Sequence, residues 1–305
     1  MKRTFIAATL VAGLFAGSAN GALLAYEGFD YAVGSTINTP LGGGFGFADD
    51  WSPGQQGGVL TVYDAASAVG VTNGNAGGEI EWDGVVDNVP TTPTPNRYVG
   101  TGTSGADRIT ADRTLSASAG ALAGGDNILW ASVIWHQQGS NFGRHVGFSI
   151  GTDGQANRSV NINGGGDGIG VGGAFNTLAV TPTIWLGGAI DTRTTTGATN
   201  VATNQDNIVI LKFEFGATDT VTAYRFTESD VLSEASFNAN AISATSAIDE
   251  NTLNVISFSQ SRGQEAVDEI RVGDTFADVT TGVPEPSSLA LLGLGGLMIA
   301  RRRHG

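Results

Sequence analysis

Three carboxylate residues stand at alternate positions within the segment Gly78–Gly84. On a β-strand, residues i, i+2 and i+4 share one face, so Glu79, Glu81 and Asp83 would line up about 6.5–7 Å apart along the backbone. Convergence of two side chains would bring the carboxyl groups to the separation of about 5–5.5 Å that a retaining glycosidase uses. The segment therefore has the residue types for acid/base and nucleophilic work on a glycosidic bond.

This segment resembles the Glu-x-Asp-x-(x)-Glu strand of laminarinase-like glycoside hydrolases. The resemblance would make Glu79 the nucleophile, Glu81 its supporting acid and Asp83 the acid/base. Two of the three positions differ from that pattern, because Glu81 replaces Asp and Asp83 replaces the final Glu. The shorter acid would miss the glycosidic oxygen by about a methylene, and a misplacement of that size can lower a rate about 10²-fold. The alternative is an exposed, acidic strand face, which so acidic a chain favours.

Oxygen-bearing side chains surround glycine-rich turns between residues 153 and 167. The candidate calcium ligands are Asp153, Asn157, Asn161, Asn163 and Asp167. Such loops can bind Ca²⁺, but the EF-hand spacing is absent. The same residue types are also ordinary turn formers. Calcium is therefore one interpretation and a plain turn is the other, and no motif requires a further cofactor.

Tryptophan rings are candidate stacking surfaces for sugars. Trp51 and Trp82 are the leading candidates, with Trp135 and Trp185 behind them. Burial in a β core is the commoner fate of tryptophan, and the sequence does not separate the two outcomes.

Composition excludes several classes of function. The chain has 15 Lys+Arg, 29 Asp+Glu and no cysteine. The absence of cysteine excludes disulfides, thiol catalysis and cysteine-ligated metal. The strong acidic excess disfavours nucleic acid as a partner, since proteins bind its phosphates through Lys and Arg.

Alternation of apolar and polar residues predicts an all-β domain. Asn207–Phe215 and Asp219–Phe226 are separated by a short turn and predict a hairpin. Ile128–His136 is apolar on both faces, which is typical of a central strand. Further strands are expected at 144–150, 158–163, 183–190, 253–259 and 266–272. No helix is predicted between Ala22 and Gly282, so a sandwich or barrel follows.

The N-terminus has the pattern of a secretory signal peptide. A basic start at Met1–Arg3 precedes the short apolar run Phe5–Gly17. Ala19 and Gly21 then place small residues at −3 and −1 for cleavage before Ala22. Residues 1–21 are therefore expected to be removed on export.

The last 23 residues form a tail of three parts. It opens with the turn-prone residues Val283, Pro284, Glu285 and Pro286. The uncharged run 288–300 follows, and the basic end consists of Arg301, Arg302 and Arg303. A full membrane span needs about 20 apolar residues, and the uncharged run is shorter than that. The basic end nevertheless favours the membrane, because Lys and Arg are retained on the cytoplasmic side.

This tail resembles the bacterial PEP-CTERM sorting signal, which is also called the ice-binding protein C-terminal domain. The resemblance implies export, transient anchoring in the inner membrane by a short apolar helix, and cleavage near Pro-Glu-Pro by an exosortase-type membrane protease. It also implies a setting rich in exopolysaccharide. It covers residues 283–305 and says nothing about the domain that is sorted.

The two ends of the domain at 22–282 carry a second resemblance. The segment Tyr26–Tyr31 is similar to the opening of many exported PEP-CTERM proteins, and Val267–Gly273 is similar to the closing strand of concanavalin A-like and laminin-G-like sandwiches. That family has a jelly roll of two curved antiparallel sheets whose concave face often binds sugars. Its first and last strands pair, which would bring Phe29 near the strand of Ile270.

The sequence thus predicts an exported, single-domain β-sandwich, sorted to the cell surface or extracellular matrix. Its expected role is non-catalytic, with polysaccharide as the ligand. A β-glycan hydrolase that uses Glu79, Glu81 and Asp83 is the competing class. A structural surface protein with no ligand is the third.

Overall fold

The computed structural model describes 14 stretches of the chain, which are residues 22–29, 31–36, 41–53, 61–64, 97–100, 109–137, 145–152, 168–175, 180–186, 194–195, 205–227, 230–246, 249–260 and 265–280. The acidic segment Glu79–Asp83, the loop Asp153–Asp167 and the predicted strand 158–163 lie outside these stretches. Both terminal segments, 1–21 and 281–305, also lie outside them.

The described elements are strands with a few short helices. The strands are β1 (Leu23–Glu27), β2 (Ser52–Pro53), β3 (Thr61–Asp64), β4 (Arg97–Gly100), β5 (Ile109–Thr114), β6 (Ile128–Gln137), β7 (His145–Thr152), β8 (Gly168–Phe175), β9 (Val180–Leu186), β10 (Thr194–Thr195), β11 (Gln205–Glu214), β12 (Asp219–Thr227), β13 (Ile242–Ser246), β14 (Leu253–Gln260) and β15 (Glu265–Gly273). The α-helices are α1 (Ala119–Ala123), α2 (Glu234–Asn240) and α3 (Phe276–Thr280), and two 3₁₀ turns cover Gly124–Asp126 and Glu250–Thr252.

The strands form two antiparallel sheets. The eight-stranded sheet has the order β13-β12-β11-β6-β15-β4-β3, and β1 pairs with β15 beside β4. The seven-stranded sheet has the order β10-β9-β8-β7-β14-β5-β2. The first and last strands pair as predicted, with Glu27 opposite Ile270 and Phe29 two residues further on.

The predicted hairpin and central strand are also confirmed. In the hairpin β11–β12, Asn207 lies opposite Thr227 and Glu214 lies opposite Thr220. Strand β6 lies between β11 and β15 and is the middle strand of the seven in this order, with three strands on each side. Its apolar character on both faces has a physical cause, because both faces of this strand are covered.

The main core fills the space between the two sheets. Alternate residues of β6 and β11 meet alternate residues of β7 and β14, and these are Leu129, Ala131, Val133, Val209, Leu211, Phe213, Phe148, Ile150, Ile256 and Phe258. Residues two apart on a strand share a face, so each strand contributes every second side chain. Two sheets that share one core make a β-sandwich, which confirms the predicted all-β class.

A second apolar cluster lies on the outer face of the eight-stranded sheet, where α2 and α3 cover it. Trp130 from β6 packs on Phe237 of α2 and Phe276 of α3, with ring centroids 5.1 and 5.5 Å away. The expectation of no helix between Ala22 and Gly282 is therefore wrong. The helices are five and seven residues long, and so short an element shows no helical period in the sequence.

Side-chain caps define where these helices begin. The Ser233 hydroxyl accepts a hydrogen bond from Ser236 N at 3.1 Å at the start of α2. Before α3, the Thr275 hydroxyl accepts from Asp278 N at 3.3 Å while Asp278 Oδ2 accepts from Thr275 N at 2.9 Å. This reciprocal pair is a capping box, with Asp in the place of the usual Glu. None of the helices in the described stretches is long and apolar enough to cross a membrane.

Candidate functional site

A row of paired residues crosses the seven-stranded sheet from β2 to β9. The register places them opposite one another in the order Ser52, Asp112, Ser257, Ser149, Gly170 and Trp185. We call this set the outer row. Every member with a described side chain alternates with a core residue, so the row belongs to the face that points away from the core.

Asp112 is the charged member of the outer row. It is 8% exposed, and its carboxylate accepts a hydrogen bond from the Ser257 hydroxyl. Among the described residues, none supplies a hydrogen bond to Asp112 Oδ1. Burial raises the pKa of Asp112 to about 6, and the Ser257 hydrogen bond opposes that rise. At neutral pH the group is therefore mainly a carboxylate with one oxygen free to accept a hydrogen bond.

The next residue along β5 points the other way and is paired with an opposite charge. Arg113 forms a buried ion pair with Glu27 of β1, and its Nε donates to Asp49 O at 2.8 Å. The Arg113 guanidinium also lies 4.1 Å from the centroid of the Phe47 ring. Strand β5 thus carries a paired charge toward the core and an under-paired charge toward the outer row.

Glu27 is saturated with donors. Its Oε1 accepts from Phe29 N at 2.7 Å, and its Oε2 accepts from the Tyr31 hydroxyl at 2.6 Å and from Trp51 Nε1 at 2.9 Å, in addition to Arg113. Burial raises the pKa of Glu27, while these partners act to lower it. The Phe29 N–H bond also helps to hold that residue at φ 52°, a left-handed conformation that is rare for a bulky side chain. Glu27 is 1% exposed and both of its carboxylate oxygens are engaged, so we assign this cluster a structural role.

A second closed network joins β1 to β15. The Tyr26 hydroxyl donates to Glu269 Oε1 at 2.8 Å, while Arg271 Nε and Nη2 donate to Glu269 Oε2 at 3.0 and 2.7 Å. Burial and the neighbouring Glu269 carboxylate raise the pKa of Tyr26. The phenol therefore stays neutral and serves as a donor that ties the first strand to the last.

The structure corrects one sequence-predicted site residue. Trp51 is 3% exposed and lies in the core, with its ring 5.7 Å from Phe29 and 5.1 Å from Phe258 between centroids. Its N–H is engaged with Glu27, so neither face nor edge is open to a sugar. The prediction of sugar stacking at Trp51 is wrong because the indole serves the core.

The other predicted site residues are not brought together here. Trp82, the three carboxylates of 79–83, the calcium candidates of 153–167, Ala19, Gly21 and the sorting residues lie outside the described residues. Ala22 is described, and its backbone N–H donates to Asp274 Oδ2 at 3.1 Å. In the part of the chain that the structure describes, no group of three or more His, Cys, Asp or Glu side chains could hold a metal ion.

Sequence reasoning missed Asp112. The signal that could have found it is an acid beside a base inside a short strand, in the segment Ile109–Thr114. Neighbouring residues on a strand face opposite sides, so one of the two charges had to face the core and find a partner there. The partner of Arg113 is 86 residues away in sequence, and the partner of Asp112 lies on β14, so no spacing rule connects them.

The family whose model matches the chain is the PEP-CTERM protein-sorting motif, over residues 282–303. The predicted sorting signal is therefore confirmed. No curated protein shows a significant sequence match to this chain.

Several solved structures resemble the fold. The carbohydrate esterase vb_24B_21 from the Shiga toxin-encoding bacteriophage phi24B has a TM-score of 0.42 at 11% identity, over 73% of this chain and 89% of that one. Lectin II from Ulex europaeus has a TM-score of 0.37 at 9% identity, over 58% and 87%. The metal-free carbohydrate recognition domain of Emp46p has a TM-score of 0.34 at 8% identity, over 58% and 81%. Two of these three structures are a lectin and a carbohydrate recognition domain.

Proposed function

We propose that the protein is an exported cell-envelope or extracellular-matrix component that binds polysaccharide without cleaving it, through the outer row of the seven-stranded sheet. The sorting motif at 282–303 supports export to the cell surface. The single observation that carries the binding site is the buried, under-paired carboxylate of Asp112.

Burial of this carboxylate carries a free-energy cost. A buried carboxylate oxygen without a hydrogen bond is destabilising, typically by about 1–3 kcal/mol or more for a charged group. Arg113, the next residue, shows that this fold can pair a buried charge with an opposite charge and a backbone acceptor. A chain that keeps a destabilising acid at one position commonly uses that acid for function, since perturbed carboxyl groups cluster at functional sites.

The chemistry of the outer row suits a hydroxyl-rich ligand. Asp112 Oδ1 is an unfilled acceptor, Ser257 and Ser149 are hydroxyl residues that are each 4% exposed, and Gly170 leaves its position in the row without a side chain. Four strand spacings of about 4.8 Å separate Asp112 on β5 from Trp185 on β9, a span of about 19 Å. A row of that length suits an oligosaccharide chain that lies across the strands.

Binding is favoured over hydrolysis by what faces Asp112. A retaining glycosidase needs a second carboxyl group about 5–5.5 Å from the first. The described partner of Asp112 is the hydroxyl of Ser257, and no second acid perturbs it among the described residues. A hydrolase that uses Glu79, Glu81 and Asp83 remains the alternative, and a ligand-free structural protein is the third.

The sorting route completes the proposal. The signal peptide is removed before Ala22, and the tail anchors the chain in the inner membrane until an exosortase-type protease cleaves near Pro284–Pro286. Mass spectrometry of the surface-associated protein tests this step. We expect a first residue of Ala22 and a last residue close to Pro286, and an intact tail on the released protein would contradict it.

A glycan-array screen of residues 22–282, with and without calcium, tests the binding site. Both retention of the protein and release of product are recorded. Asp112→Asn should reduce retention about tenfold or more, because a charge-assisted hydrogen bond contributes about 1.5–3 kcal/mol. Asp126→Asn is the matched control, since Asp126 is an exposed acid on the 3₁₀ turn before β6.

Each result of the screen separates the three classes. Retention that depends on Asp112, without product, supports the proposal. Product release that Glu79→Gln abolishes would identify a hydrolase, and calcium-dependent retention would add a role for the Asp153–Asp167 loop. Failure to bind any glycan would favour the structural protein.

A further inference from the structure

We infer that, while the tail holds the chain in a membrane, the helix-covered outer face of the eight-stranded sheet is turned toward the lipid and the outer row is turned away from it. This inference rests on the proposed anchoring by the tail. It adds an orientation, in which the outer row faces away from the lipid before the protein is released.

The chain leaves the folded domain from the eight-stranded face. In α3, Val279 and Thr280 are buried, and the Ser132 hydroxyl of β6 donates to Val279 O at 2.6 Å. The Thr280 hydroxyl donates to Phe276 O at 2.8 Å within the helix. The last described residue is therefore fixed on the outer face of a central strand, and the sorting motif begins at 282.

The tether between that point and the apolar run is short. Eight residue steps separate Thr280 from Ser288, where the uncharged run begins. At no more than about 3.3–3.6 Å per residue, they span at most about 26–29 Å when fully extended. The position of Thr280 and this length together limit how the domain can turn.

The opposite face lies beyond the reach of this tether. Three strand spacings of about 4.8 Å separate β6 from either edge of its sheet, which is about 14 Å. To reach the opposite face, the chain must also pass the thickness of the helix layer, about 10 Å, and the separation of the two sheets, about 10 Å. The outer side chains lie further still. The outer row could rest on lipid only through a detour of at least about 35 Å, so it must face away.

The two helices that cover this face supply no basic residue to attract anionic lipid. Neither α2 nor α3 contains a Lys or Arg residue, and both contain an acid. Adsorption to anionic lipid depends on basic residues and weakens with salt. The orientation should therefore be insensitive to salt, because the covalent tether imposes it.

The chain has no cysteine, so a single introduced cysteine gives a clean fluorescent label. Ala239→Cys labels an exposed position of α2, and Ser52→Cys labels an exposed position of the outer row. The full chain is reconstituted into phosphatidylethanolamine–phosphatidylglycerol vesicles that contain a lipid with a nitroxide headgroup. Quenching should be several-fold stronger at position 239 than at position 52, at low and at high salt. Equal or reversed quenching would overturn the orientation while leaving the anchoring intact.

A longer tether provides the control. Insertion of about twelve Gly/Ser residues between Thr281 and Gly282 adds about 40 Å of reach and should remove most of the difference between the two labels. A difference that survives the insertion would overturn the tether argument. Failure of the full chain to associate with the vesicles would refute the proposed anchoring and the orientation together, which distinguishes it from a wrong orientation alone.

Discussion

The two outer faces of the sandwich share one core but have opposite chemistry. On the eight-stranded sheet, large side chains such as Trp130 are sealed under α2 and α3. On the seven-stranded sheet, the corresponding positions are Ser257, Ser149 and the under-paired Asp112. A strand that is apolar on both faces, such as β6, therefore indicates a covered face, whereas the alternation of Ile256–Ser259 in β14 places hydroxyl groups on one face.

The covered face should be the more sensitive to truncation. Phe237→Ala removes a fully buried ring that packs on Trp130 and Phe276. We expect a loss of about 3–5 kcal/mol in the free energy of unfolding, because the cavity cannot close under so short a helix. Urea denaturation measures it. Ala239→Gly in the same helix is the control for helix propensity and should lower the free energy of unfolding by only about 1 kcal/mol. Equal losses in the two variants would mean that α2 does not seal this face.

The polar face should gain stability from one substitution. The folded pKa of Asp112 is about 6, above the usual value of 3.8, so the folded state binds its proton more tightly than the unfolded state does. Stability from this group therefore falls as pH rises from about 4 to 6. Asp112→Asn should raise the free energy of unfolding by about 1–3 kcal/mol at pH 7–8 and should change it little at pH 4.

The measurement is urea denaturation of both proteins across this pH range. Glu27 also titrates with a raised pKa, but it is present in both proteins and cancels in their difference. Asp126→Asn should show no such pH-dependent gain. A destabilised Asp112→Asn at pH 8 would mean that the carboxylate is better paired than this structure shows, and it would remove the main support for the binding site.

The sequence predicts the strands of the sandwich far better than its polar sites. Periodicity predicts β6 and the β11–β12 hairpin because each signal lies within about ten consecutive residues. Periodicity does not predict the covering helices, since α3 has only five residues. Its local sequence signal is the Thr275–Asp278 cap.

The polar sites depend on contacts between distant segments. Glu27 meets Trp51 and Arg113 across 24 and 86 residues, and no local pattern encodes either contact. This is why Trp51 is wrongly predicted as a sugar platform and why Asp112 is missed. The sequence shows that a strand carries two charges, but only the fold shows that one of them is left without a full set of partners.

Two serines, one on each face, form hydrogen bonds of different kinds, and the first lies on the polar face. Ser257→Ala removes a hydroxyl donor to the Asp112 carboxylate. A hydrogen bond to a charged group is worth about 1.5–3 kcal/mol, so we expect a loss of about 1–2 kcal/mol at pH 7. The pKa of Asp112 should rise further, and the loss should fade below pH 5 as the carboxyl protonates. Ser149→Ala, in the same row, should leave that pKa unchanged in an NMR titration.

On the covered face, Ser132→Ala removes a buried hydroxyl that donates to the neutral carbonyl of Val279 at 2.6 Å. A neutral hydrogen bond contributes less than a charged one, so we expect a loss of about 0.5–1.5 kcal/mol, the smallest effect of the series. Because neither partner titrates, the loss should be the same at pH 4 and at pH 8. Urea denaturation of both serine variants at the two pH values compares them directly. A pH-dependent loss at Ser132 would mean that a titrating group acts on this hydrogen bond, and a pH-independent loss at Ser257 would mean that Asp112 does not hold a carboxylate there. Either result would contradict the expected difference between the two serines.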